Sequence, residues 1–282
     1  MIKKVAVALG LLLVAVCGTC FYVYSAATRL PENRPQLISK QGVAASKIVV
    51  VCVGDSLTHG RVSHNYVDEL DERFEDHYLF VNAGVNSELT YNLLQRIDAV
   101  IALKPDYITI LIGTNDALGA LGAQSAQRYI KKWNLPQAPD RQWFRRNLNR
   151  IVIRLKRETR AKIALLSLPP ITEDSDHPGY IRARTYSQDI RTIAQAQQVA
   201  YLPLNEILTF VVEGEAGENK RVFRGPERTL MYKALVAHFV LGRNWDTISA
   251  QNGFTVLTDF IHMNKKGADI AADLIDDFVR HN

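Results

Sequence analysis

Cysteine is scarce in this chain, and its placement makes it scarcer. Of the three cysteines, Cys17 and Cys20 lie in an apolar N-terminal run, which leaves Cys52 alone in the remainder. No disulfide can form within that remainder, so an exported protein of this sequence would not be a disulfide-stapled one. Inside an apolar run the C-x-x-C spacing of Cys17 and Cys20 is a poor metal or redox site, and Val16 and Thr19 before them do not match a lipid-attachment signal. An excess of one charge is missing too. The 34 Lys and Arg against 29 Asp and Glu give a formal +5, of which Lys3 and Lys4 supply two, too little to argue for a nucleic-acid partner. His59, His64, His77, His177, His238 and His281 form no metal-ligand spacing. Repeats and low-complexity tracts are absent, and an apolar fraction of 47% excludes a disordered chain.

What is present begins with a leader. Lys3 and Lys4 precede an apolar run from Val5 to Tyr24, long enough to cross a bilayer as a helix, and the early positive charge places the N-terminus in the cytoplasm. Ser25, Ala26 and Ala27 could form a cleavage site, so residues 1–27 read as a signal peptide or a transmembrane anchor; the length of the run favours the anchor. Either puts the rest of the chain outside the cytoplasm, in the cell envelope. Residues 28–46, with two prolines and no periodicity, read as a linker.

From residue 47 onward, continuous apolar runs alternate with helical patterns. The runs are Lys47–Val53, Tyr78–Asn82, Tyr107–Ile112, Lys162–Ser167 and Ala200–Pro203; the helices are Tyr66–Phe74, Leu89–Leu103, Arg141–Thr159 and Tyr180–Gln198. Unbroken apolar strands between helices predict an α/β class of three layers, with a parallel sheet of about five strands covered on both faces. Two segments depart from the alternation, near 117–140 and 205–258. Both follow strand ends, the side on which open α/β sheets bind ligands, and are candidate pocket walls or a lid. The stretch GEAGENKRVFRGPER within the second reads as exposed and mobile. Five arginines on helix 141–159 read as a solvated face.

The strand at Ile48–Val53 breaks off into Gly-Asp-Ser, which would set the Ser56 hydroxyl at the C-terminal edge of the sheet. A serine hydroxyl is a weak nucleophile and needs a base and oxyanion donors. Asp259 and His262, before the last amphipathic helix, have a spacing that lets the carboxylate orient the imidazole. His59 is a rival base by sequence proximity. Asn115, in GTND after the third strand, carries an amide donor, and Gly84 after the second offers an unobstructed backbone N–H. Cys52 reads as a small buried hydrophobe.

GDSL at Gly54–Leu57, Gly84, GTND at Gly113–Asp116 and DFIH at Asp259–His262 resemble, in order and spread, the four blocks of the SGNH or GDSL hydrolase superfamily. The resemblance covers residue 47 to the C-terminus. It implies the flavodoxin-like fold of those enzymes and a carboxylic-ester hydrolase working through an acyl-enzyme, with no metal or organic cofactor. It also implies Ser56 as nucleophile, His262 as general base and then acid, Asp259 as its orienting partner, and an oxyanion hole of Ser56 N–H, Gly84 N–H and the Asn115 side chain. Asp55 and Asp116 then become structural. Where the family often has a second glycine, three residues after the first, this chain has Ser87. The implied partners are an acyl ester, a lipid or an acylated glycan, with a lysophospholipase-like esterase as first expectation. Envelope-polysaccharide O-acetylesterase, O-acyltransferase or silent glycan-binding module are the alternatives.

Overall fold

The structure, a computed structural model, describes residues 2–42, 46–74, 77–215 and 227–282. Five strands form its centre: β1 (Ile48–Gly54), β2 (Tyr78–Gly84), β3 (Tyr107–Leu111), β4 (Lys162–Leu166) and β5 (Ala200–Leu202). All pair in parallel, in the order β2-β1-β3-β4-β5. Each lies within two residues of its expected span, because a run of branched apolar residues has no stable place except between two covering layers.

Alternation along β1 divides the core in two. Val49, Val51 and Val53 point to one face, where α9 (Arg141–Glu158) and α10 (Pro178–Gln197) cover them with Leu148, Ile151, Ile190 and Tyr186. Val50 and Cys52 point to the other, against Tyr66 of α4 (Tyr66–Arg73), Leu208 of α11 (Leu204–Gly214) and Ile275 of α14 (Lys265–His281). Full burial of a valine or leucine here contributes about 1.5–3 kcal/mol, and the two faces together account for most of the apolar burial. Cys52 is completely buried, which pushes its thiol up to about 12, as suits an inert packing residue.

Three regions differ from expectation. The segment 28–46 contains a short helix, α2 (Pro35–Gln41), opened by a proline in its first turn; Ile38 joins the core, Asn82 N donates to Asn33 O, and Asn33 Nδ2 to Phe80 O. These bonds close the free edge of β2, which an irregular linker would have left bare. The expected helix 89–103 divides into α5 (Thr90–Arg96) and α6 (Asp98–Ile101), separated by a tight turn at Ile97, whose carbonyl accepts from both Val100 and Ile101. The two insertions are helical: α7 (Thr114–Gly119) and α8 (Ala123–Trp133) in the first, and α11, α12 (Glu227–Phe239) and α13 (Trp245–Asn252) in the second. Most of GEAGENKRVFRGPER lies outside the described residues. The remaining helices are α1 (Ile2–Thr28) and the one-turn α3 (Ser56–His59).

Candidate active site

The C-terminal ends of β1, β2 and β3 converge on Ser56. Asp55 caps α3, its Oδ1 accepting from Leu57 N at 3.0 Å, so the chain turns at once from strand to helix and Ser56 stands at the turn. Its side chain faces the segment between α13 and α14. Asp259 Oδ1 there accepts from Ile261 N at 2.7 Å and His262 N at 2.8 Å, a local turn that sets carboxylate and imidazole side by side. His262 Nδ1 is 2.8 Å from Asp259 Oδ2, and His262 Nε2 is 3.0 Å from Ser56 Oγ. A carboxylate only accepts, so Nδ1 carries the proton and Nε2 is left to accept from the serine hydroxyl. Burial pulls the His262 imidazole down, but the Asp259 charge and hydrogen bond outweigh it and the net direction is up. Burial likewise pushes Asp259 up, and the charge and hydrogen bonds of His262 bring it below its ordinary value.

The loop carrying these two residues is anchored by a side chain that sequence reading missed. Glu173, after β4, is buried, and its carboxylate accepts from Thr255 N, Val256 N and Leu257 N at 2.8–3.0 Å. Thr172 N beside it donates to Phe260 O at 2.7 Å. An acid among loop residues has no motif; only the fold brings it 82 positions along the chain to Thr255.

The expected oxyanion donors fare differently. Ser56 N–H, at the start of α3, has no hydrogen-bond partner among the described residues. The Gly84 N–H, expected as a donor, is engaged by Asn82 Oδ1 at 3.0 Å. Its glycine is required for close approach, since a Cβ there would stand 2.2 Å from His59 N. Three residues on, Ser87 adopts φ 65° in the turn Val85–Glu88, the conformation a type II turn asks of its third residue and the one glycine takes without strain. Neither Ser87 N–H nor Asn86 N–H has a partner among the described residues. Asn115, just after Gly113 at φ 129°, lies at the same edge, but Nδ2 donates to Asp55 Oδ2 at 3.1 Å and Glu88 O at 3.0 Å. Both of its amide protons are thus engaged.

Several further groups hold this edge. Tyr129 Oη donates to Asn115 Oδ1 at 2.7 Å and Trp133 Nε1 to Ser87 O at 2.7 Å, so α8 of the first insertion forms one wall. Arg96 reaches Gly54 O and Ala83 O and pairs with the buried Glu88 at 2.6 Å, tying the ends of β1 and β2. Asp116 accepts from Thr90 N and Oγ1, locking α7 to α5. Burial pushes both Asp55 and Asp116 up to about 7. Both act as acceptors in this framework. The rival base His59 is buried, lowered to about 4 by burial and then by Arg61, and its ring makes no hydrogen bond to Ser56. His64, Glu69 and Asp269 do converge, but Lys265 Nζ stands 3.3 Å from Glu69 and 2.7 Å from Asp269, supplying the positive charge itself. The arginines of α9 are partly tied down: Arg141 makes a two-pronged pair with the buried Asp189.

A serine, an imidazole and a buried carboxylate in one hydrogen-bonded row can deliver the serine oxygen to an acyl carbon. The sequence model of the GDSL-like Lipase/Acylhydrolase family matches residues 52–270. Among solved structures, an acetyl xylan esterase aligns with a TM-score of 0.55 at 19% identity, over 82% of this chain and 100% of its own. A lipase/acylhydrolase from Enterococcus faecalis aligns at 0.55 and 19%, over 83% and 96%. An acetylxylan esterase from Geobacillus stearothermophilus aligns at 0.55 and 18%, over 82% and 93%. These likenesses are of fold. No curated protein sequence matches. With the family model spanning most of the chain, the protein belongs to the GDSL-like lipase/acylhydrolase family and is by class a carboxylic ester hydrolase.

Proposed function

We propose that the protein is a serine esterase that forms an acyl-enzyme on Ser56. The observation that carries this is the row Ser56 Oγ, His262 Nε2, His262 Nδ1, Asp259 Oδ2, with separations of 3.0 and 2.8 Å in a buried setting. As Oγ attacks the ester carbonyl, its proton passes to Nε2, and the imidazolium that forms is stabilised by Asp259. The carbonyl oxygen takes the negative charge and is met by Ser56 N–H and, replacing Gly84, by Ser87 N–H in the turn walled by Trp133. Asn115 Nδ2 joins by exchanging its bond to Glu88 O for the oxyanion. Collapse breaks the bond to the alcohol oxygen, which leaves with the proton from Nε2. Water, deprotonated by His262, then attacks the acyl carbon and releases the acid and the free serine.

Acyl esters of lysophospholipid type are the first substrate reading. Deacetylation of a glycan is the second, favoured by the acetylxylan esterases among proteins of this fold. α1, whose residues Leu9–Thr28 are apolar enough to span a membrane, is read as an anchor that holds the domain on the extracytoplasmic side of the bilayer. The test is hydrolysis of p-nitrophenyl esters, from acetate to long acyl chains, by the full chain in detergent with Ser56→Ala alongside. Loss of turnover in the variant supports the acyl-enzyme, and retained turnover overturns it. Preference for acetate selects the glycan reading, and preference for longer chains the lipid one.

A further inference from the structure

The root of α1 is built into the domain. Val23 and Ala27, 6% and 5% exposed, pack with Val62, with Ala234 and Leu235 of α12, and with Trp245 and Ile248 of α13. Asn86 Nδ2, in the turn that follows β2 at the candidate active edge, donates to Ala27 O at 2.9 Å. On the same two turns of α1 the neighbouring side chains face outward: Phe21, Tyr22 and Tyr24 are 74%, 55% and 68% exposed. Tyrosines at one end of an apolar span belong at the level where a bilayer meets water. Val23 stands at that level and touches the α12–α13 cluster, so the cluster is at that level too.

α12 has apolar side chains on its other face as well. Tyr232 and Val236 on the helix, with Val240 and Leu241 in the turn that ends it, are 58%, 40%, 45% and 60% exposed. A helix that buries one apolar face and exposes a second apolar stripe offers that stripe to lipid or to a partner, and among the described residues nothing covers it. A groove of about 520 Å³ beside it is lined by Tyr232, Val236 and Leu241 together with Lys233 and Arg243, an apolar surface edged by two cations. That combination matches acyl chains beneath anionic headgroups.

We propose that α12 lies in the interface of the bilayer that α1 crosses, with Tyr232, Val236, Val240 and Leu241 facing lipid, so that the two helices hold the Ser56 edge at that leaflet. The proposal rests on the reading of α1 as a retained anchor. It follows that the esterase works beside the membrane surface and is not on a free tether.

The test uses the full chain, with Cys17→Ser and Cys20→Ser and the fully buried Cys52 left in place. Single cysteines at Leu12, Val236, Val240 and Arg146 carry an environment-sensitive fluorophore, and the protein is reconstituted in vesicles of phosphatidylethanolamine and phosphatidylglycerol. Quenchers are attached to lipids, in separate preparations, just below the headgroup to report on 236, 240 and 146 and near the end of the acyl chain to report on 12, and p-nitrophenyl acetate hydrolysis verifies that each labelled protein is folded. Quenching at 236 and 240 severalfold above that at 146, on α9, is expected. Quenching at 12 with none at 236 and 240 overturns the placement of α12 and leaves the anchor standing. No quenching at 12, or an intact mass lacking residues 1–27, overturns the anchor reading itself. A blue-shifted signal at 236 and 240 that ignores the quencher and grows with protein concentration means that a second copy covers the stripe, and it too overturns the proposal.

Discussion

In the proposed acyl-enzyme mechanism, His262 is the group whose protonation decides whether Ser56 can be activated. Its imidazole must be neutral to accept a proton, and the Asp259 carboxylate holds it above its ordinary value despite burial. kcat/KM should therefore fall on the acid side with a midpoint above 6.5, the unperturbed histidine value. A midpoint below 6.5 in a pH–rate profile with p-nitrophenyl acetate would show that another base is in charge. Asp259→Asn should keep the fold and lower kcat by about 10⁴, since the amide presents a donor where Nδ1–H needs an acceptor. Ser87 poses a different question at the same scale, because its φ of 65° is unfavourable for a side chain. Ser87→Gly should raise stability by about 1 kcal/mol in denaturant titration, while leaving the backbone N–H in place and kcat close to that of the parent.

Whole elements carry the proposed catalytic residues only because loops hold them. The segment Thr255–Asn264 has little regular structure, yet Glu173 takes three of its backbone N–H groups and Thr258 N and Oγ1 close on His262 O. Glu173→Gln removes the charge and turns Oε2 into a donor facing Thr255 N, while the remaining oxygen still accepts from Thr255, Val256 and Leu257, so three charge-assisted bonds become weaker neutral ones at a cost of about 1–3 kcal/mol. We expect a lower melting temperature together with a fall in kcat larger than any change in KM, because the imidazole and not the substrate loses its support. Unchanged kcat in a folded Glu173→Gln protein would remove Glu173 from this role. α8 acts similarly from the opposite side, through Tyr129 on Asn115 and Trp133 on Ser87.

For the molecule as a whole, the consequence of a docked α1 is that a change in the leader is felt in the domain. Val23→Asp places an unpaired carboxylate against Leu235 and Trp245, at a cost of several kcal/mol confined to that cluster. Hydrogen exchange should quicken across α12 and α13 and stay slow in β1 and β3, whose cores do not touch it. Equal exchange in parent and variant would mean that Val23 contributes nothing to the cluster.

Sequence alone determined much of this protein. The sheet was legible because runs such as Ile48–Val53 are apolar on both sides and can exist only between two layers. The meeting of Ser56, Asp259, His262 and Asn115 at one edge of the sheet was legible because strand ends and a short D-x-x-H turn are local features that recur with local signatures. Tertiary structure alone decided the rest. Glu173 meets Thr255 across 82 positions, and Asn82 takes the Gly84 N–H that the sequence offers as a free donor. The root of α1 packs beside Trp245, more than two hundred residues away in the chain. Hydrophobic period and turn chemistry act over a few residues and can be read along the chain. The partner of a buried carboxylate or a backbone N–H is fixed by which distant segments the closed fold brings together.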